Sequence, residues 1–250
     1  MMKQDFSSAQ WRFIAALDVL GVSSSLDLLG QLVPLTPGPL VKLIAYAEEQ
    51  GWIRREGKHV FSISPDLPQE IHAKLDQVNT PEQAERLLKR FRTIKLDTPW
   101  HVLMEANMLE RSGQIYDASQ FEYHVAIEFM ESGDLHSAMT TTGRVIGRIT
   151  PHLINPDLRP LYIQAVIFYA RLSYLLGKNI DSTLRLLKST LGIAEEIGDR
   201  RSMALISMHI GMFHYLHDDL DKAISFLRQG LDEAAALGDN DILIQSAEFE

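Results

Sequence analysis

Residues 199–238 read DRRSMALISMHIGMFHYLHDDLDKAISFLRQGLDEAAALG, and their pattern decides the fold. Apolar residues recur at three- and four-residue steps on both sides of His217-Asp218-Asp219, which predicts two amphipathic helices joined by a tight turn. The stretch closes on Leu237-Gly238, a helix stop, because glycine accepts the left-handed backbone that ends a helix. Residues 159–198 read RPLYIQAVIFYARLSYLLGKNIDSTLRLLKSTLGIAEEIG. Moved forward by 40, they place Leu176 on Leu216, Asp181 on Asp221, Leu187 on Leu227, Leu191 on Leu231, Ala194 on Ala234 and Gly198 on Gly238. Only 6 of 40 positions are identical, but most other apolar positions agree. A fixed period of this length marks a solenoid of stacked helix pairs. Earlier punctuation at Gly133-Asp134 and Gly177-Lys178 extends the helical reading over residues 98–250.

Within the last unit, Ile210-Gly211, His214, Ala223, Leu227 and Gly230 stand at the spacing of the tetratricopeptide signature. Its small residues let two helices approach closely, and its large ones fill the groove between them. His214 replaces the usual aromatic, and Ser207 stands where Trp is usual. The preceding unit keeps Tyr174 and Leu187 but has Arg171 in place of Gly. An earlier unit keeps Ala126, Phe129, Ala138 and the Gly133-Asp134-Leu135 turn. The resemblance covers roughly residues 120–250.

The first 65 residues read differently. Trp11, Phe13, Ile14, Leu17 and Leu20 recur at helical spacing and Gly21 ends that helix. A serine cluster caps a second helix to Leu32, and a third runs from about Pro39 to Gln50, with Gly51 as its stop. Trp52-Ile53 and Val60-Phe61-Ser62-Ile63 flank a polar, glycine-containing centre, a hairpin signal. Three short helices followed by a hairpin is the order of a winged helix. Residues 66–97 are predicted to connect the modules through two further helices, with a junction near residues 95–99, where Asp97-Thr98-Pro99 reads as a helix start. The expected fold is mainly α: a winged-helix domain followed by a TPR-like α-α superhelix.

The 40-residue units, which end in Ile197-Gly198-Asp199 and Leu237-Gly238-Asp239, resemble the repeat arm of signal-transduction ATPases, the group that includes the maltose-regulon activator. Leu43-Ile44 through Gly51-Trp52-Ile53 and Phe61 is similar to the end of that family's winged helix, and Phe121-Glu122-Tyr123-His124 through Gly133-Asp134 to its first repeat. The chain departs from the family in lacking a Walker A motif. Before Gly177-Lys178, Leu172 stands where the leading Gly belongs, and Asn179 follows instead of Ser or Thr. The resemblance implies adaptor and sensor roles rather than ATP hydrolysis.

Composition narrows the function classes. The 250 residues include no cysteine, which excludes thiolate metal sites, disulfides and a cysteine nucleophile. The net charge of −9 lies wholly in residues 98–250, with 12 basic and 21 acidic residues against 12 and 12 in residues 1–97. It argues against coating nucleic acid by bulk charge, and suggests neutral or basic partners for the arm. The first ten residues lack a signal-peptide core, and no apolar stretch is long enough to span a bilayer, so a cytoplasmic protein is expected.

Solenoids bind along the concave face lined by the first helix of each pair. The signature register places Tyr123, Ile127, Phe168, Leu172, Met208, Met212 and Tyr215 on that face; aromatics and methionines suit a protein, peptide or small effector. In the hairpin, Arg54, Arg55 and Lys58 offer a basic wing for nucleic acid. The third helix is poor for base reading, with Lys42 against Glu48 and Glu49, and Ala45, Tyr46 and Ala47 as outward positions. The run Arg86, Lys89, Arg90 reads as a solvated face. His214 and His217 could share a face, but their spacing is not a metal motif, and neither metal nor cofactor is expected. No nucleophile or acid–base constellation stands out, so an enzyme is not expected. Residues 246–250 fall inside the first helix of a further repeat, which suggests a longer chain or an uncapped end that pairs with a partner or a second copy. The expected function is a non-catalytic, bacterial-type regulatory protein, a transcriptional regulator or part of one, whose arm binds a protein, peptide or small effector and whose winged helix docks or relays the signal. The alternative is a DNA-binding winged-helix factor using the basic wing.

Overall fold

A computed structural model describes residues 6–94 and 99–239, with the side chains of 99 and 100 excepted. The junction expected at residues 95–98 and the chain end at 246–250 lie outside the described residues. The chain is mainly α and divides into two compact units, with the division between Glu122 and Tyr123.

The first unit starts with α1 (Ser8–Leu20). Ser7 caps it by accepting from the Gln10 N–H, and the Gln10 side chain returns the bond to the Ser7 N–H. Phe6, just before the cap, packs edge-on against Trp11 four residues into the helix, the arrangement of a hydrophobic staple. β1 (Ser24–Ser25) leads into α2 (Leu26–Leu32), capped by the Ser25 hydroxyl. α3 (Pro37–Glu49) begins on proline, where no helical N–H is needed. β2 (Ile53–Gly57) and β3 (Val60–Ile63) then form the expected hairpin, and β1 adds to it, giving an antiparallel sheet of order β1-β3-β2. The short β1 was not read from the sequence; two serines carry no period of their own. Of the positions read as outward on α3, Ala45 is exposed, Tyr46 is half-buried and Ala47 is fully buried, because Ala47 shares the inward stripe with Leu43.

α4 (Gln69–Val78), α5 (Pro81–Phe91) and α6 (Pro99–Arg111) complete the unit. They share one core with α1, in which Phe13, Leu17, Leu29, Phe61, Leu75, Phe91 and Met108 are buried. Asp18 of α1 accepts from Asn79 Nδ2 at 2.9 Å and pairs with Arg111 at 3.2 Å, tying α1 to α4 and α6. Thus the first compact body reaches past residue 97, since helices 66–111 bury their apolar faces on α1.

α7 (Ile115–Glu131) crosses the division. The second unit takes its C-terminal half, then α8 (Leu135–Ile149), two 3₁₀ turns at Thr150–His152 and Pro156–Leu158, α9 (Arg159–Leu176), α10 (Ile180–Ile197), α11 (Arg200–Leu216) and α12 (Leu220–Leu237). It is an array of TPR-like helix pairs. α10 and α12 start and stop 40 residues apart, and each ends on a left-handed glycine, Gly198 and Gly238. Asp134, Asp199 and Asp219 cap α8, α11 and α12, so the recurrent Asp of the repeat satisfies an otherwise orphaned N–H. α11 and α12 pack most closely: a Cβ at Gly211 would lie 2.9 Å from Leu227 N, and one at Gly230 would lie 2.8 Å from Ala204 O. α9 and α10 pack less extensively. Arg171 and Thr190 stand there at the equivalents of Gly211 and Gly230. Among the described residues, no helix is long and apolar enough to cross a membrane.

Candidate functional site

The second unit holds a cleft of about 360 Å³ on the side of α7, α9 and α11, the first helices of successive pairs. Tyr123 comes from α7. Gln164, Ile167, Phe168 and Arg171 come from α9, spaced so that they share one helical face. Asp199, Arg201, Ser202, Leu205 and His209 come from the capped start of α11 and its following turns. Tyr123 and Phe168 meet edge to face, with centroids 5.7 Å apart. Burial pushes the Tyr123 phenol up to about 12, so it stays a neutral hydroxyl in the physiological range. His209 is buried, and burial together with the positive charge of Arg171 pushes its imidazole down to about 4. Asp199 turns both oxygens to Ser202, accepting from its N–H at 3.0 Å and its hydroxyl at 2.6 Å. Arg201 Nε donates to Asp239 at 2.7 Å. The cleft therefore combines an aromatic and aliphatic wall with two guanidinium groups and a neutral histidine, the composition of a binding site. A second, broader hollow is lined only by α12, including Asp221, Ile224, Arg228 and Asp232, and is the outer face of one helix.

Of the seven residues placed on the concave face from sequence, Tyr123 and Phe168 line the cleft. Leu172 is fully buried in the cluster of Ala126, Ala138 and Met139, against which Ile127 packs. Met208 and Met212 are buried, Met208 against Ala204 and Ala234. Tyr215 is 61% exposed and lies outside the cleft lining. The difference has a physical cause. In α11 the face 204/208/211 is drawn onto α12 by Gly211 and Gly230, so the cleft receives 201/205/209 instead. In α9 the equivalent face carries Arg171, which is too large and too polar for that close approach, and so 164/168/171 stays open to the cleft. One residue along a helix turns the side chain by about 100°. The sequence signal for the missed residues was there in the i, i+4, i+7 series Gln164, Phe168, Arg171, but not in the repeat register.

The basic residues of the β2–β3 hairpin are largely engaged. Arg55 Nε and Nη2 donate to the two oxygens of Glu48 at 2.8 and 2.7 Å, and its guanidinium lies 4.9 Å over the Phe61 ring. Arg54 pairs with Asp66 at 2.7 Å. Lys58 accepts from Arg55 through its carbonyl. These exposed pairs hold little energy, but they cancel the local field on which phosphate binding depends. The exposed face of α3 offers Val41 and Ala45 beside Lys42 and Glu49. In the basic run of α5, Lys89 pairs with Glu85 at 2.8 Å.

His214 and His217 do not converge. His217 Nε2 lies 3.2 Å from Asp181, whereas the buried His214 ring stacks on Phe226 with centroids 5.7 Å apart and planes 6° apart. Its Nδ1 faces Asp219 at 3.6 Å, and its Nε2 has no hydrogen-bond partner among the described residues. Burial, with Lys188 and Lys222 nearby, holds its pKa below the usual 6.5. A depressed histidine pKa means that the unfolded chain binds the proton more readily, so stability is full above about pH 6.5 and falls as the pH drops below it. His214→Phe restores the aromatic of the signature and removes the orphaned nitrogen. It is expected to stabilise the unit by about 1 kcal/mol at pH 7, and by more at pH 5.5. His209 keeps part of the acid slope in both proteins. Urea titrations at the two pH values check this, and an unchanged pH dependence would count against the assignment.

No family model matches the sequence, and no curated protein matches it. Solved structures do. BtubC from P. vanneervenii is similar over 68% of this chain and 81% of its own, at 12% identity and a TM-score of 0.41. The Pyrococcus horikoshii signal-transduction ATPase with numerous domains, which has a tetratricopeptide repeat sensor, is similar over 94% of this chain, at 14% identity and a TM-score of 0.40. The chain spans 45% of that protein's length. Aspartyl phosphate phosphatase F from Bacillus subtilis is similar over 95% of this chain and 78% of its own, at 11% identity and a TM-score of 0.38.

Proposed function

We propose that the chain is a non-catalytic regulatory protein whose helical-repeat arm binds a segment of a partner protein in the cleft between α7, α9 and α11. The first unit, with the element order of a winged helix, serves as the docking or output module. The observation that carries the reading is the cleft itself: Tyr123, Ile167, Phe168 and Leu205 offer an apolar wall, and polar groups flank it on both sides. Its size suits a short stretch of chain with one large anchoring side chain. Protein docking by the first unit is preferred to DNA binding because Arg54 and Arg55 face carboxylates and the outer face of α3 carries Val41 and Ala45.

The test is a random peptide library displayed on phage and panned against the full chain. Peptides are expected to be enriched whose affinity for the Phe168→Ala protein is at least about tenfold weaker, the loss typical of an interface anchor. Enriched peptides that bind the variant as well as the parent would move binding away from the cleft.

A further inference from the structure

We infer that the segment bound in this cleft is held by its main chain as well as by its anchor: the Tyr123 hydroxyl donates to a peptide carbonyl beside the anchoring side chain, and the Gln164 carboxamide pairs with the same peptide unit. The inference rests on the cleft being the binding site. Most polar side chains that line the cleft are already committed. Asp199 accepts from Ser202 and caps α11, and Arg201 pairs with Asp239. Arg171 and His209 are engaged as well. Tyr123 and Gln164 differ: among the described residues, neither side chain makes a hydrogen bond. A phenol on an apolar wall ordinarily finds a partner, because a hydroxyl that loses water without one is destabilising. Burial alone raises the Tyr123 pKa, with no hydrogen bond or charge of the unit contributing. Both groups adjoin Phe168. Tyr123 meets its ring edge to face, and Gln164 lies one turn before it on the same face of α9. An anchor seated against Phe168, Ile167 and Leu205 carries its own peptide units into the cleft, where they lose water and need partners. A hydroxyl and a carboxamide together supply donors and an acceptor, which match the C=O and N–H of one peptide unit. They read no side chain of the ligand. They therefore strengthen binding without narrowing its sequence, and selectivity falls to the apolar anchor.

The probes are pools of acetylated, C-terminally amidated octapeptides of uncharged residues, with Phe or Leu at a fixed central position. Two matched pools replace one peptide bond by an ester, either just before or just after that position. An ester deletes one N–H donor and leaves a carbonyl that is a weaker acceptor. Binding to the full chain is followed by fluorescence anisotropy. The parent protein is expected to bind at least one ester pool about tenfold more weakly than the all-amide pool. Tyr123→Phe removes a single oxygen. It is expected to weaken all-amide binding about three- to tenfold and to shrink the ester penalty. Gln164→Leu, at an exposed position, is expected to shrink it too, and the double variant to erase it. Phe168→Ala weakens all three pools. Equal binding of the three pools to the parent protein, or an ester penalty that persists in full in the double variant, overturns the main-chain assignment alone. Failure of every pool to bind the parent protein, or binding that Phe168→Ala leaves unchanged, overturns the cleft reading beneath it.

Discussion

Alanine at Gly230 is expected to destabilise the second unit by about 1–3 kcal/mol, while alanine at Gly192 stabilises it by about 0.5–1 kcal/mol. Both glycines lie in the second helix of a pair, α12 and α10, and both lose backbone entropy when the helix forms. On propensity alone, alanine would help at both sites. Tertiary packing separates them. A Cβ at Gly192 meets nothing within 4 Å. One at Gly230 would lie 2.4 Å from Met208 Cγ, 2.8 Å from Ala204 O and 3.1 Å from Met208 N. The Met208 side chain can move, but the backbone of α11 cannot without opening the α11–α12 pair. The cost of that opening exceeds the propensity gain, so the sign reverses. Far-UV circular dichroism through a urea titration measures both variants. A Gly230→Ala protein at least as stable as the parent would mean that α11 and α12 do not approach as described.

Trp52→Ala is expected to cost the first unit about 3–5 kcal/mol, the range for truncating a large buried aromatic, and to leave the second unit folded. Trp52 stands just before β2 and is only 9% exposed. Its ring stacks on Trp11 with centroids 5.8 Å apart and meets Phe6 and Tyr46 edge-on at 5.8 and 5.5 Å. One side chain therefore joins the helix-capping segment, α1, α3 and the hairpin, and its loss leaves a cavity in contact with all four. All three tryptophans of the chain precede residue 123, so fluorescence follows the first unit, while circular dichroism follows both. The variant should show an early fluorescence transition followed by a later helical one. A single transition at the parental midpoint would remove the cluster from the stability of this unit. Trp52→Phe, which keeps a ring in the socket, should recover much of the loss.

Much of this molecule was legible in residue order. The 40-residue offset read from Leu187, Ala194 and Gly198 returns as the matching ends of α10 and α12. Gly21 and Gly51 mark the ends of α1 and α3, and the hairpin lies where Trp52-Ile53 and Val60-Phe61 placed it. These features are local: periodicity, caps and turns depend on neighbours a few residues away. The strand β1 was not legible, because Ser24 pairs with Phe61, a partner that only the folded chain brings alongside. Nor was the reach of the first unit to Glu122, which depends on α4, α5 and α6 burying their faces on α1.

The candidate site divides along the same line. The sequence by itself determined that an arm of helix pairs exists, that Tyr123 and Phe168 belong to the first helices, and that the arm is acidic as a whole. Only the tertiary structure decided which face of each helix meets the cleft. Gly211 and Gly230 draw α11 onto α12 and bury Met208, whereas Arg171 cannot enter such a contact, and Phe168, though only 9% exposed, lines the cleft. Charge follows suit: a sum over residues is indifferent to position, but binding depends on the few groups that line the cleft, and there Arg201 and Asp199 already hold partners.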